Sequence, residues 1–383
     1  MDGLSHFIFT ETHDTLRAEI RRYVERELAP HADAWEEAEY FPDSVFWEMG
    51  RLGYLGLRYP EEYGGSGLDY YSALVLAEEM SRAGNGGIGM AIAVHSEMAT
   101  PPILKFGTEA QKRHFLMPAI KGQKIAALAI TEPGAGSDVS GIRTRAVPDG
   151  SDWVINGSKI YITNGIRADF YLVVARTGDD QWGGLTLFLV EKGAPGFTVG
   201  RKLKKLGMNC SDTAELFFES VRVPDANRVG DVGQGFYNIM WELQGERLIG
   251  AASAVAGAER ALELALKYAD QREAFGRKIG RFQVIRHKLA QMATEIEAAR
   301  ALTYTCAWRW QNGEYPVRDI SMAKLFASEV ACRVADEALQ IHGGAGYMQE
   351  YPVQRAWRDS RLLRIGGGTD EIMREIIAKQ MGF

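Results

Sequence analysis

At 383 residues the chain exceeds one ordinary hydrophobic core and suggests two or three domains. Its 46% hydrophobic and 25% charged residues fit a globular protein, and a net charge of −6 argues against a general nucleic-acid binder. Three cysteines (Cys210, Cys306, Cys332) without a CxxC pair give no disulfide framework or zinc site, and the seven histidines show no HExxH spacing.

The opening "MDGLSHFIFTETHDTLRAEI" lacks the basic start and apolar core of a signal peptide. No apolar run approaches the ~20 residues that span a bilayer. A cytoplasmic protein is expected, or a mitochondrial-matrix one if this is a eukaryotic mature chain. "ETHDTLRAEIRRYVERELAP" sets Leu16, Ile20, Tyr23, Val24 and Leu28 on one helical stripe, with Pro30 expected to close it. "PDSVFWEMGRLGYLGL" and "YYSALVLAEEMSRA" continue the helical pattern, and "TEAQKRHFLMPAI" opens on a Thr108/Gln111 capping box. "GNGGIG" (84–89) matches G-x-G-x-x-G, but a dinucleotide fingerprint follows a strand and opens a helix. This one follows a helix, so a helix junction is the better reading.

Near residue 126 the texture changes. Runs such as "AALAIT", "FYLVVART" and "AELFFESVRVP" alternate with the turn dipeptides Asp149-Gly150, Asn156-Gly157 and Asn164-Gly165. They predict an antiparallel sheet domain, a barrel or sandwich. After Gly233 the pattern is helical again, with one long helix through "GFYNIMWELQGERLIGAASAVAGAERALELALKYADQREAFG" and several more behind it. The expected fold class is α+β: a helical domain over 1–125, a β domain over 126–232, and a four-helix bundle over 233–383. His342, in "QIHGGAGYM", has no partner carboxylate or nucleophile nearby and reads as structural.

Three segments carry candidate chemistry. "LAITEPGAGSDV" (128–139) runs a strand into a Gly-rich turn, where backbone N–H groups and the hydroxyls of Thr131 and Ser137 can hold a polar ring edge and a pyrophosphate. "KIYITNG" (159–165) places Tyr161 and Thr163 on one strand face, flanking Ile162. "LLRIGGGTDEIMREII" (362–377) sets three glycines before a helix, with Thr369 or Asp370 as N-cap and Glu371 in the first turn.

The first two segments resemble the flavin-binding strands of the acyl-CoA dehydrogenase family. "YADQREAFGRKIGRFQVIRHKLA" and "LQIHGGAGYMQEYPVQRAWRDSRLLRIGGGTDEI" resemble two further blocks of it, and the likeness spans the chain in order. The resemblance implies FAD held between the β domain and the bundle, lined by Leu128, Ile130, Thr131, Gly136, Ser137, Tyr161, Ile162 and Thr163. It further implies that Arg272, Phe275, Gln283, Gln340, Gly343 and Gly344 reach the FAD of a neighbouring subunit, and that Thr369 and Glu371 contact the adenosine side. A homo-oligomer, commonly a tetramer built as a dimer of dimers, would follow, with an electron-transfer flavoprotein as acceptor.

Oxidising an acyl-CoA between its α and β carbons needs a carboxylate to take the α proton and donors for the enolate-like oxygen. Many members of the family keep that Glu in the loop matching "IGGGT", where this chain has Gly367. Long-chain and isovaleryl-type members carry it on the long bundle helix, which here points to Glu246. Gly250, Ser253 and Gly257 share its helical face and would leave a shallow trough beside the carboxylate. Close packing against a neighbouring helix would also explain those glycines. Nothing in the family places a base at Glu242, one turn earlier. By resemblance, the N–H of Gly367 would bond the thioester carbonyl, Arg247 would lie along the CoA-thioester channel, and Ser137 would touch pyrophosphate and substrate. The expected activity is α,β-dehydrogenation of a medium- to long-chain acyl-CoA. The alternatives are a branched short-chain, isovaleryl-type or terpenoid dehydrogenase, a related oxidase or monooxygenase, and a non-catalytic acyl-CoA binder.

Overall fold

The computed structural model describes residues 7–383. The first apolar stripe forms α1 (Glu11–Tyr23), and its Ile20 packs with Val24, Leu28, Phe41, Phe46 and Met49 in one buried cluster. Pro30 does not close this helix. A π turn over Val24–Leu28 and a 3-10 turn over Ala29–His31 seat the proline at an early helical position, where its missing N–H is harmless, and α2 (Ala32–Glu37) follows. The helices α3 (Ser44–Arg51), α4 (Tyr70–Met80), α5 (Gly86–Ala93), α6 (Pro101–Phe106), α7 (Glu109–Gln111) and α8 (Met117–Ile120) complete this part of the chain. The Thr108/Gln111 capping box is present. "GNGGIG" is a helix junction: Asn85 caps α5 by accepting from Gly87 N–H, while Gly86 N–H donates to Asp359 at 3.0 Å.

The sheet comprises β1 (Ala126–Ala129), β2 (Arg145–Asp149), β3 (Asp152–Thr163), β4 (Phe170–Arg176), β5 (Leu185–Glu191), β6 (Phe197–Lys202), β7 (Thr213–Pro224) and β8 (Arg228–Val229). Its order is β6-β7-β3-β2-β4-β5-β8, with β1 also on β4. Most pairings are antiparallel, but β1 and β2 both run parallel to β4, so the sheet is mixed. Asp149-Gly150 turns the β2–β3 hairpin as its sequence predicts. Asn156-Gly157 does not turn the chain. It lies inside β3 at a register shift against β7, where Gly157 has φ +148° and a side chain would meet Thr144 at 2.6 Å.

The long helix of the third segment is α9 (Gly235–Gln271). A small hairpin, β9 (Glu273–Ala274) with β10 (Arg277–Lys278), leads to α10 (Gln283–Gln311), α11 (Val317–His342), α12 (Pro352–Ser360) and α13 (Asp370–Gln380). Alanines along α9 and α11, such as Ala254, Ala258, Ala327 and Ala331, let these helices approach closely in a core shared with α4 and α10. His342 stacks on Tyr268 at 4.2 Å and its Nδ1 lies 2.7 Å from the Ala338 carbonyl, a structural role.

His95 joins the helical part to the sheet. Fully buried in a π turn (Val94–Ala99), it donates from Nε2 to the Ala119 carbonyl and accepts the Ala126 N–H on Nδ1, each at 3.0 Å. Only the neutral ring can do both, and burial pushes its pKa down from 6.5 to about 4. Between those pH values the unfolded chain binds the proton and the folded one does not, so stability falls as pH falls through that window. Unfolding measured in urea at pH 7 and pH 4.5 is expected to show a loss of about 2.5 kcal/mol at the lower pH from this group. A His95→Gln variant, with nothing to titrate there, should lack that increment.

Candidate active site

Glu246 lies near the start of α9, and its carboxylate accepts no hydrogen bond among the described residues. It is only partly exposed. Burial pushes its pKa up, with Arg247 and Lys324 opposing, so the group is a stronger base than a solvated Glu. Gly250 and Gly257 follow on the same helical face, and a side chain added at either would meet nothing within 4 Å. Close helix packing is therefore not the reason for these glycines; they leave open space. Ser253, on the same face, lines a narrow open cleft between α4, α5, the π turn and α9, with Ala77, Gly89, Ala93, Ser96 and Ile249 among its walls.

The three-glycine loop folds directly over Glu246. A Cβ on Gly367 would lie 3.2 Å from Oε1 of Glu246 and 3.9 Å from Cγ of Arg247. Gly367 has φ +66° and Gly368 φ +106°, conformations that L side chains resist. Arg247 Nε donates to the Gly367 carbonyl at 2.9 Å and Lys324 Nζ to the Gly368 carbonyl at 2.6 Å. With both carbonyls held, the Gly367 N–H is left without a partner among the described residues. Thr369 then caps α13 by accepting from Ile372 N–H, and Glu371 follows in the first turn. Glu246, Arg247, Gly367 and Thr369 thus come together from positions more than a hundred residues apart.

The glycine-rich turn after β1 forms an open cradle. A side chain added at Gly134 or Gly136 would meet nothing within 4 Å, Gly136 and Ser137 are exposed, and neither N–H bonds to a described residue. Leu128, Ile130 and Thr131 are half-buried beside it. The Thr131 carbonyl accepts from Ile160 N–H at 2.9 Å, which stitches the turn to β3 one residue before Tyr161. Tyr161, 66% exposed and at φ +61°, and the half-buried Thr163 face outward, while Ile162 is buried and offers only its backbone. Free N–H donors beside an exposed aromatic face suit a flat ring carrying a pyrophosphate, so these residues fit a flavin dinucleotide.

Arg272, Phe275, Gln283, Gln340, Gly343 and Gly344 form a separate group, all of them exposed. Arg272, Phe275 and Gln283 surround the β9–β10 hairpin, and the other three end α11, joined to it by the Tyr268–His342 stack. Arg272 closes α9 about 39 Å beyond Glu246 at ~1.5 Å per residue. They do not meet the cradle of their own chain.

Sequence reasoning missed the ion pair that positions the cradle. Lys159, fully buried, donates to the Ile130 carbonyl and to Glu132, each at 2.8 Å. Glu132 also accepts from Arg143 and Thr144 N–H, at 2.8 and 2.9 Å, and so clamps both ends of the 132–144 loop. Burial pushes Lys159 down to about 8, and burial works to raise Glu132 too, but Lys159 outweighs it and holds that carboxyl below its ordinary value. The available signal was a lysine in register with the core-facing Ile155 and Trp153. Lys159→Met is expected to cost ~3–5 kcal/mol by stranding Glu132. Chemical denaturation should show most of that loss recovered in Lys159→Met with Glu132→Leu.

Sequence profiles described as "Acyl-CoA dehydrogenase, N-terminal domain", "middle domain" and "C-terminal domain" match residues 10–123, 127–221 and 233–382. The chain is 43% identical to the long-chain specific acyl-CoA dehydrogenase of Sus scrofa over 98% of its length and 87% of that protein. It is 41% identical to the isovaleryl-CoA dehydrogenase of Oryza sativa over 98% of its length and 93% of that protein. A crystal structure of an acyl-CoA dehydrogenase from Geobacillus kaustophilus superposes with a TM-score of 0.96 at 41% identity, covering 99% of this chain and all of that one.

Proposed function

The chain belongs to the acyl-CoA dehydrogenase family of FAD-dependent oxidoreductases, and we propose that it oxidises medium- to long-chain acyl-CoA thioesters with Glu246 as the base. The observation that carries this reading is the Glu246 carboxylate set against the three-glycine loop, where a Cβ at Gly367 would lie 3.2 Å from its Oε1. Bound FAD supplies the acceptor for the β hydride. Glu246, raised in basicity by burial and free of hydrogen bonds, removes the α proton. The unpartnered Gly367 N–H bonds the thioester carbonyl where negative charge develops. Arg247 and Lys324 hold the loop that carries that N–H. Leu128, Ile130, Thr131, Gly136, Ser137, Tyr161, Ile162 and Thr163, together with Thr369 and Glu371, would hold the flavin dinucleotide.

The trough along α9 supports an unbranched chain of some length. Gly250, Ser253 and Gly257 follow Glu246 on one helical face, Ser253 about 10 Å past it, and a side chain at either glycine would meet nothing within 4 Å. A short branched acid would need width near the base more than depth. The separation of Arg272, Phe275, Gln283, Gln340, Gly343 and Gly344 from the cradle supports an oligomer in which they serve a neighbour's flavin, a tetramer in our reading. Phe275, 95% exposed at φ +52°, is costly on a free surface and reasonable against a partner. An electron-transfer flavoprotein is the proposed acceptor. No described helix is long and apolar enough to cross a membrane, and we place the enzyme in the cytoplasm or, for a eukaryotic chain, the mitochondrial matrix.

Anaerobic addition of C4 to C18 acyl-CoAs to the yellow protein should bleach the flavin, fastest for medium and long unbranched chains; isovaleryl-CoA as the best substrate would overturn that preference. Glu246→Gln should retain flavin and lose at least ~100-fold in rate. Unchanged turnover would place the base elsewhere, and a protein that binds acyl-CoA without bleaching would be a silent relative. Glu246→Gly with Gly367→Glu frees the contested volume and should regain part of the rate on an altered chain-length profile, whereas Gly367→Glu alone should be inactive.

A further inference from the structure

Glu242 is buried one helical turn before Glu246, and neither of its carboxyl oxygens has a hydrogen-bond partner among the described residues. At i and i+4 the two carboxyls share a face of α9 with Cβ atoms ~5–6 Å apart. The groups facing Glu242 are mixed in sign: Arg58 from the loop before α4, Glu97 from the π turn, and Arg247 and Glu246 from α9, with the Tyr59 and Tyr70 hydroxyls close by. Arg58, however, is committed to Glu97 at 2.8 Å, and Arg247 to the Gly367 carbonyl. Both arginines act on Glu242 through their charge, but neither makes a hydrogen bond to it.

We propose that Glu242 and Glu246 form a one-proton carboxyl pair, in which Glu242 keeps the proton at neutral pH and acts as a positioning residue that sets the basicity of Glu246. This rests on Glu246 being the base. Two carboxylates this close in a poorly solvated site do not both ionise easily. The proton stays on Glu242 because Glu246 is partly exposed and has Arg247 and Lys324 near it. In that state Glu246 stays ionised and ready to accept the α proton. When Glu242 ionises at alkaline pH, its charge raises the proton affinity of Glu246 and makes it the stronger base. Buried polar atoms without partners are otherwise unfavourable, so a role in catalysis gives Glu242 a reason to be there.

The test compares the wild-type holoenzyme with Glu242→Gln, an isosteric change that cannot ionise. Burial holds Lys324 down to about 8, so its loss of charge gives both proteins some alkaline rise; wild-type single-turnover bleaching should rise about tenfold beyond that, a step absent in Glu242→Gln. Superimposable alkaline profiles would overturn the proposal. Infrared difference titration gives a readout independent of turnover. A protonated-carboxyl stretch at neutral pH should disappear on alkaline titration, be missing in Glu242→Gln, and titrate at lower pH in Glu246→Gln. A midpoint that Glu246→Gln leaves unmoved would also overturn the pair, even if Glu242→Gln failed to fold. Full activity in Glu246→Gln would instead remove the base assignment itself, so the two failures are distinguishable.

Discussion

Between α9 and the loop before α13, the Glu246 carboxylate and a side chain at residue 367 would crowd each other: a Cβ at 367 would lie 3.2 Å from Oε1 of Glu246, tighter than ordinary contact. Several features follow from this exclusion. The loop has glycine at 367 and 368, both left-handed in φ, because any Cβ there would be crowded and strained. Glycine brings mobility, and Arg247 and Lys324 counter it by binding the two loop carbonyls. The Glu246 carboxylate, the loop and its free N–H are thus set together. A carboxylate carried on the loop would start from a left-handed backbone position, and the positions of carboxylate and donor would change together.

The parts of this arrangement visible in the sequence are those with a local signature. Apolar spacing marks α1 and α9, a capping box marks Thr108–Gln111, and a hydroxyl ahead of an acidic turn marks Thr369 at α13. The glycines at 250 and 257 were ambiguous, since close helix packing and an empty trough share one pattern; only the absence of neighbours separates them. The parallel pairing of β1 and β2 with β4 was hidden because alternation records which face is buried and says nothing of strand direction. Asn156-Gly157 shows the same limit, since a positive-φ glycine serves a bulge as well as a turn. Lys159–Glu132 was illegible for a related reason. The pair is 27 residues apart, and charge patterning detects neighbours on one element, not partners across a sheet.

The length of α9 links this site to assembly. The 37 residues of α9 set Glu246 and the β9–β10 hairpin about 39 Å apart, so in the proposed oligomer each chain would present half a cofactor site at either end. Buried alanines along α9 and α11 pack the two helices in one core over that length. A partner arranged with the opposite polarity would bring one chain's Arg272 and Phe275 to the other's cradle, the isologous geometry of a two-fold pair. In that proposed pair the exposed Phe275 and the open glycines at 343 and 344 would be contact surface.

The same economy of charge extends to the acidic residues around the base. Four elements converge on Glu242 and Glu246, yet the two nearest arginines are each bonded elsewhere, Arg58 to Glu97 and Arg247 to the loop. A third cation placed against Glu242 would neutralise it, but it would also stabilise the ionised pair and weaken Glu246 as a base. Replacing Glu242 with an apolar side chain would remove an unsatisfied group, but also the charge able to strengthen the base when it ionises. A carboxyl kept neutral by its ionised neighbour avoids both outcomes. The missing hydrogen bonds at Glu242 are then explained by the reactivity required of Glu246, in the same way that the glycines at 367 and 368 are explained by its position.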